Sequence, residues 1–292
     1  LDWLFFGEVS LAGLATGGLY ALIALGFVII YKATRVINFA VGEMMMFSAY
    51  LFLTFAGILD WPWYVSLPLA VIGGSLLGGV IERVAIRPML GENPISVVMV
   101  TVGIASVLIG LAEMLWTADP QLLPDFLPRE PIMIGEMFVA PKSGWAFVIA
   151  ACVIVVYLLY FRFSRGGVAL RATASDQAAA YSMGIAVPKV FSAAWMAGAF
   201  AAAISGILVA ASGGLSPQMG VVGLSILVIV ILGGLDSILG ALIGGLFVGW
   251  IETIAGTYLG GEYRQLATFS LLAAILIVRP YGLFGTREIE RL

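Results

Sequence analysis

The chain has 292 residues, 62% of them hydrophobic and 11% charged, with 14 basic and 17 acidic side chains and no histidine. An ordinary soluble domain carries about 25% charged residues, so this surface faces a solvent other than water, and basic residues scattered singly over a net charge of −3 exclude a nucleic-acid partner. One cysteine, Cys152, and no histidine exclude an internal disulfide, a Cys/His zinc site and a histidine proton relay; no cofactor is expected.

A helix needs about 20 mostly apolar residues to cross a hydrocarbon core of roughly 30 Å. Apolar runs approaching that length lie, in chain order, at 9–31, 37–57, 64–82, 95–117, 144–161, 189–211, 219–233, 238–257 and 266–279. The first has no basic region or small-residue cleavage site before it, so it is expected to direct insertion itself. The seventh, Met219 to Gly233, is short for a straight span and fits a broken or re-entrant segment as well as a crossing. The expected fold is all-α, a polytopic transmembrane bundle of eight or nine spans forming a single domain over 1–292.

Basic residues favour cytoplasmic connections. With the N-terminus outside, eleven of the 14 fall inside: Lys32, Arg35, Arg83, Arg87, Arg162, Arg165, Arg171, Lys189, Arg279, Arg287 and Arg291. Arg129, Lys142 and Arg264 fall outside, so the asymmetry favours nine crossings and a cytoplasmic C-terminus. Trp61, Trp63 and Tyr64, and Tyr157, Tyr160, Phe161 and Phe163, lie near span ends, where amphipathic rings anchor at the headgroup layer. The outer connection from Thr117 to Ser143 carries five prolines and predicts an irregular cap with short helical pieces. The inner one, 162–188, is alanine-rich and predicts one or two short interfacial helices.

Transporters are often built from inverted repeats with the solute path between them. Gly74, Leu76, Gly79, Ile81 and Glu82 align without gaps on Gly244, Leu246, Gly249, Ile251 and Glu252, and Gly42 matches Gly220. The matches pair spans two and three with seven and eight, as an inverted repeat requires.

No paired carboxylates in a polar loop, Gly-x-Ser-x-Gly elbow or His-Glu-x-x-His pattern occurs, so an enzyme is not expected. The phosphate loop Gly-x-x-x-x-Gly-Lys-Ser/Thr is also missing, so any ATP-driven activity needs a separate ATPase. Glycines four apart, at Gly74 and Gly78, Gly240 and Gly244, and Gly245 and Gly249, permit close helix contact. Glu43 is the most informative ionisable residue. An intramembrane carboxylate needs a polar cavity or a partner, and Asn38, a turn and a half earlier, is placed to cap the same helix. The pair reads equally as a helix start exposed to a pathway or as a polar clamp. Thr101, Ser106, Ser48 and Tyr50 are polar positions on apolar spans; Met44, Met45 and Met46 read as adaptable packing; Glu113, Asp236 and Glu252 read as hydrated groups near span ends.

Several segments together resemble the permease subunits of branched-chain amino acid ABC importers, the shorter of the two usual permease types. They are Gly13-Leu-Ala-Thr-Gly-Gly-Leu-Tyr-Ala-Leu-Ile-Ala-Leu-Gly26 leading to Ile37-Asn-Phe-Ala-Val-Gly-Glu43, then Arg171 to Ile185, Ile231 to Ala241 and Arg279-Pro-Tyr-Gly-Leu-Phe-Gly285. The resemblance covers nearly the whole chain. It implies a complex in the bacterial cytoplasmic membrane containing a second permease subunit, two ATPase subunits and a periplasmic solute-binding protein. Within 162–188, Ala178-Ala-Ala-Tyr-Ser-Met-Gly184 is similar to the coupling loop of ABC permeases, with its acidic member displaced to Asp176. It implies an ATPase contact through Arg171, Asp176, Ala178, Ala179, Ala180 and Gly184. Asn38, Phe39, Gly42, Glu43 and Thr101, with Pro217 and Gln218, are the pathway candidates. The alternative class is a stand-alone channel or ion-coupled carrier for small neutral solutes such as urea.

Overall fold

The computed structural model describes residues 3–130 and 132–285. Arg287 and Arg291, counted above for orientation, lie outside the described residues. Helix α1 (Trp3–Thr34) is followed by α2 (Val41–Phe52), which continues as a π-helical turn to Ile58, and by α3 (Trp63–Ile81), α4 (Pro94–Trp116) and α5 (Pro141–Phe163). The short helices α6 (Arg165–Ser175) and α7 (Gln177–Ser182) lead to α8 (Val187–Gly213). A 3-10 turn at Pro217–Val221 opens α9 (Val222–Gly233), and α10 (Ile238–Tyr258) and α11 (Tyr263–Val278) complete the bundle. Seven of these segments are long and apolar enough to cross a membrane, and Pro217–Gly233 and Tyr263–Val278 are shorter apolar helices. Every apolar run in the sequence thus becomes a helix.

Local chemistry sets the boundaries. Proline at the first helical position starts α4 and α5, where the missing N–H costs nothing. Side chains of Asn93, Ser164, Asp176 and Ser237 cap α4, α6, α7 and α10 by accepting backbone N–H bonds. Helix α1 stops where Arg35 takes a left-handed conformation, φ 57°.

The connection between α4 and α5 departs from expectation. Among its described residues it holds no helical piece but a small antiparallel hairpin, Ile132–Ile134 against Met137–Val139. Its closely spaced prolines remove N–H donors and disfavour helix at the preceding residues. The hairpin is tied to α1 by the Glu8 carboxylate, which accepts from Phe138 N–H at 2.8 Å. Lys142 and then Arg129 beside Asp125 hold its carboxyl below the usual carboxylate range, so this exposed pairing persists at neutral pH and is lost as pH falls through that lowered value. The aromatic residues also divide. Trp61, Trp63, Tyr64, Tyr160 and Phe163 are exposed, whereas Tyr157 and Phe161 are buried, with Tyr157 donating to the Ala197 carbonyl.

Helices α1 and α8 form the centre. Leu22, Leu25, Phe27 and Ile29 of α1 and Trp195, Ala201 and Ala203 of α8 have almost no exposed surface. Around them α3, α4 and α5 turn apolar residues outward, including Ile72, Val80, Met99, Val107, Val155 and Val156; lipid accepts such a surface. The neighbours obey the inverted repeat read from the sequence: exchanging α1–α4 with α8–α11 carries the α3–α8 contact onto α10–α1, α2–α3 onto α9–α10 and α2–α4 onto α9–α11. Gly26 and Gly198, one from each half, meet backbone to backbone, as do Gly42 and Gly220. Residues on a two-fold axis must meet their own counterparts in this way.

Candidate functional site

After α1 the chain turns back into the bundle before α2 begins. Phe39 N–H donates to Thr101 Oγ1 at 3.2 Å, two turns into α4. Met45 packs on Gly206, two turns before the far end of α8. Both helices run the same way across the bundle, so α2 starts near mid-membrane. Helix α9 starts there too, because Gly42 lies against Gly220 and Gly223. Two helix N-termini, one from each half of the repeat, therefore meet within the apolar bundle. Each brings unsatisfied N–H groups and partial positive charge.

Glu43, in the first turn of α2, lies at this junction. Its carboxylate packs on Gly220: a Cβ there would fall 2.7 Å from Oε1. Glu43 is 9% exposed, and its Oε2 has no hydrogen-bond partner among the described residues. A carboxylate at a helix start is electrostatically favoured, and its free oxygen leaves acceptor capacity in an otherwise dry region.

The other pathway candidates divide in their roles. Asn38 does not cap α2. Its Oδ1 accepts from Ala40 N–H at 3.0 Å, an Asx turn before the helix, and its amide nitrogen lies 3.4 Å from Met44 Sδ. The N-cap position belongs to Ala40, which has no side-chain cap. Thr101 also bonds the Val98 carbonyl at 2.8 Å and so fastens the re-entrant stretch to α4. Asn38, Phe39, Gly42, Glu43 and Thr101 are brought together on one side of the junction. Pro217 opens the 3-10 turn on the other, and Gln218 is exposed. Met44, Met45 and Met46 are all buried.

The connection 162–188 folds as α6 and α7. Arg171 faces back and donates to the Phe161 carbonyl, so it fastens α6 to the end of α5. Asp176 Oδ1 accepts from Ala178 N–H at 2.8 Å and Ala179 N–H at 3.0 Å. Gly184 ends α7 with φ +85° and nothing within 4 Å of a Cβ position. Ala178 and Ala179 are exposed while Ala180 is buried. Beside them Tyr181 and Met183 are 72% and 84% exposed, a pair that composition did not single out. Two substitutions separate the roles here. Asp176→Ala removes the cap and is expected to weaken α7 by about 1 kcal/mol. Gly184→Val is strained at positive φ, whereas Gly184→Asn is tolerated there. ATP hydrolysis in the assembled complex should lose its link to solute uptake in G184V and keep it in G184N; equal coupling in both would sink the idea that the turn matters.

Two acidic groups stand apart from their sequence readings. Glu82, noticed only as an alignment partner, is fully buried and pairs with Arg87 at 3.0 and 2.9 Å and with Ser192 at 2.7 Å. Glu252, expected to be a hydrated interface group, is 7% exposed, with Ser225 Oγ 3.4 Å from its Oε1. It is buried because α10 is crossed closely by α1: a Cβ on Gly245 or Gly249 would run into the backbone of Ala21 or Gly17.

Comparison with known proteins places these features in a group. Residues 9–279 match the family model described as "Branched-chain amino acid transport system / permease component". The high-affinity branched-chain amino acid transport system permease protein LivH of Salmonella typhimurium is 30% identical over 304 residues, covering 99% of each chain. The corresponding protein BraD of Pseudomonas aeruginosa is 32% identical over 294 residues, covering 96% of this chain and 95% of that one. Among solved structures, PsaBC from Streptococcus pneumoniae in complex with Fab superposes with a TM-score of 0.53 at 11% identity, covering 94% of this chain and 92% of that one. That last likeness concerns the fold alone.

Proposed function

Because this chain belongs to the branched-chain amino acid transport permease family and is a multi-pass permease subunit of an ABC importer, we propose that it passes branched-chain or closely related amino acids through the junction of α2 and α9. The observation that carries this reading is the meeting of two helix starts in mid-membrane beside the free oxygen of Glu43. A zwitterion crossing a bilayer needs polar groups for both its charges. Helix N-termini suit its carboxylate and Glu43 suits its ammonium group. Phe39 and the surrounding apolar side chains suit its hydrocarbon part. The whole of 1–292 acts as one permease domain.

The N-terminus lies outside and the C-terminus in the cytoplasm. Lys32, Arg83, Arg87, Arg162, Arg165, Arg171 and Lys189 gather at the end of the bundle that carries α6 and α7, which supports this orientation. ATP hydrolysis belongs to two separate subunits, since this chain has no phosphate loop. Exposed Ala178, Ala179, Tyr181 and Met183 offer them a small apolar contact. Closure of the ATPase pair would move α5 and α8 through that contact. A second permease subunit completes the pathway, and a periplasmic binding protein delivers the solute.

The test is uptake of labelled leucine by vesicles holding the complete importer, energised by ATP. Glu43→Gln is expected to lower uptake about tenfold, equivalent to about 1.4 kcal/mol of lost stabilisation, with unchanged subunit assembly. Leucine flux through this chain alone, without ATP, would favour a stand-alone channel instead.

A further inference from the structure

The two halves of the repeat treat their matched glutamates differently. Glu82, which closes α3 as the first residue of a π-helical turn, and Glu252 of α10 occupy places that the sequence match makes equivalent. Each faces a hydroxyl from the equivalent central helix, Ser192 of α8 for Glu82 and Tyr20 of α1 for Glu252. Each also has an arginine from the following connection or helix start nearby, Arg87 and Arg264. At the end of α3 the set is closed, with both carboxylate oxygens bonded to the arginine and one also to Ser192. On α10, Glu252 forms no ion pair among the described residues. Among the described residues Glu252 Oε2 has no hydrogen-bond partner, although the residue is more than nine-tenths buried. Glu252, Tyr20, Ser225 and Arg264 instead line a cavity of about 350 Å³ between α1, α9, α10 and α11.

We infer that this cavity is a binding site for the zwitterionic backbone of an α-amino acid, with the ammonium group on Glu252, Ser225 and Tyr20 and the carboxylate toward Arg264. The inference rests on the amino-acid reading above and adds a station for the solute before the α2–α9 junction. A buried carboxylate without a bonded cation calls for one, and its counterpart Glu82 shows how this architecture satisfies a structural glutamate. A primary ammonium brings three donors to a wall of acceptors. The guanidinium matches a carboxylate in two-point geometry. The volume accommodates an amino acid of ordinary size. The cavity lies beside the α10–α11 turn, the side from which solute arrives in the orientation proposed above.

The test uses the complete importer in vesicles, with Cys152→Ala to remove this chain's native thiol and Thr16→Cys, at a wall of the cavity that makes no proposed contact, as reporter; Thr253→Cys is a second reporter should the first disturb assembly. The rate of thiol labelling is measured alone and with leucine, glycine, glutamine, 4-methylpentanoate or isopentylamine. One or more of the zwitterions should slow labelling several-fold, while the two analogues that lack one charge leave it unchanged. Adding Glu252→Gln should remove the protection, read as the ratio of labelling rates with and without solute in the same variant, since loss of a neighbouring carboxylate alters the thiol's own rate, and Glu252→Asp should restore part of it. Protection by none of the zwitterions, or equal protection by the singly charged analogues, would overturn the site. Leucine uptake is followed in the same vesicles. Protection by glycine or glutamine without leucine uptake would keep the site and remove the branched-chain assignment; leucine uptake without protection would do the reverse.

Discussion

Gly42→Ala is expected to reduce uptake on the order of a hundredfold. The added Cβ would lie well inside contact distance of the Gly220 carbonyl oxygen and 2.9 Å from the Gly223 nitrogen. Both obstacles are backbone, so no side-chain rotation relieves them. Overpacking of a well-filled core costs about 1–3 kcal/mol, and about 2.7 kcal/mol corresponds to a hundredfold loss of the competent arrangement. Gly103→Ala on α4 is the control, since nothing lies within 4 Å of its Cβ position. Uptake and the yield of assembled complex should both be measured. Wild-type uptake in the Gly42 variant would mean that the two helix starts are not packed as described.

The second large effect falls on stability. Arg87→Ala leaves the fully buried Glu82 carboxylate with only the Ser192 hydroxyl, and it also removes the bond from Arg87 to the Pro188 carbonyl at 3.1 Å. Breaking a buried ion pair by removing one partner costs about 3–5 kcal/mol. Part of the guanidinium is exposed, so the lower end of that range applies. Thermal unfolding of the purified complex should report a loss of about 3 kcal/mol. The double variant Glu82→Gln, Arg87→Ala should be less damaging than the two single losses added together, because the uncompensated charge is gone. Strict additivity would mean that the two groups do not act as a pair. The pair ties the end of α3 to the start of α8, just after the α6–α7 connection, so its loss should also weaken the response of uptake to ATP hydrolysis.

Individual residues show how far the sequence could be read. The apolar runs located the helices because an apolar stretch of span length has few other stable environments. The short seventh run marked a helix that begins deep in the bundle, and the matched Gly42 and Gly220 pointed to a contact that the fold makes. Asn38 was misread as a cap because spacing along the chain does not show whether the backbone has become helical two residues later. Tyr157 and Phe161 were read as headgroup anchors, yet Tyr157 packs on Phe200 of α8 and Phe161 lies buried against Tyr157 and Gly167 of α6. Short helical pieces expected after α4 gave way to a hairpin. Glu252 looked peripheral because its distance from a span end says nothing about which helix crosses above it.

By itself the sequence determined the solvent of this protein and the position of its apolar helices, because hydrophobic length is a local property, and its glycine matches pointed to a repeat that only the packing of the two halves could test. Only the tertiary structure decided which charges are paired and which remain open. Glu82 and Glu252 stand at matched positions in matched helices, yet one is closed by Arg87 and the other opens on a cavity. Arg87 follows Glu82 by five residues and reaches it directly, whereas Arg264 comes from the start of α11 and shares only a cavity with Glu252; burial and pairing of a charge depend on such placements between segments.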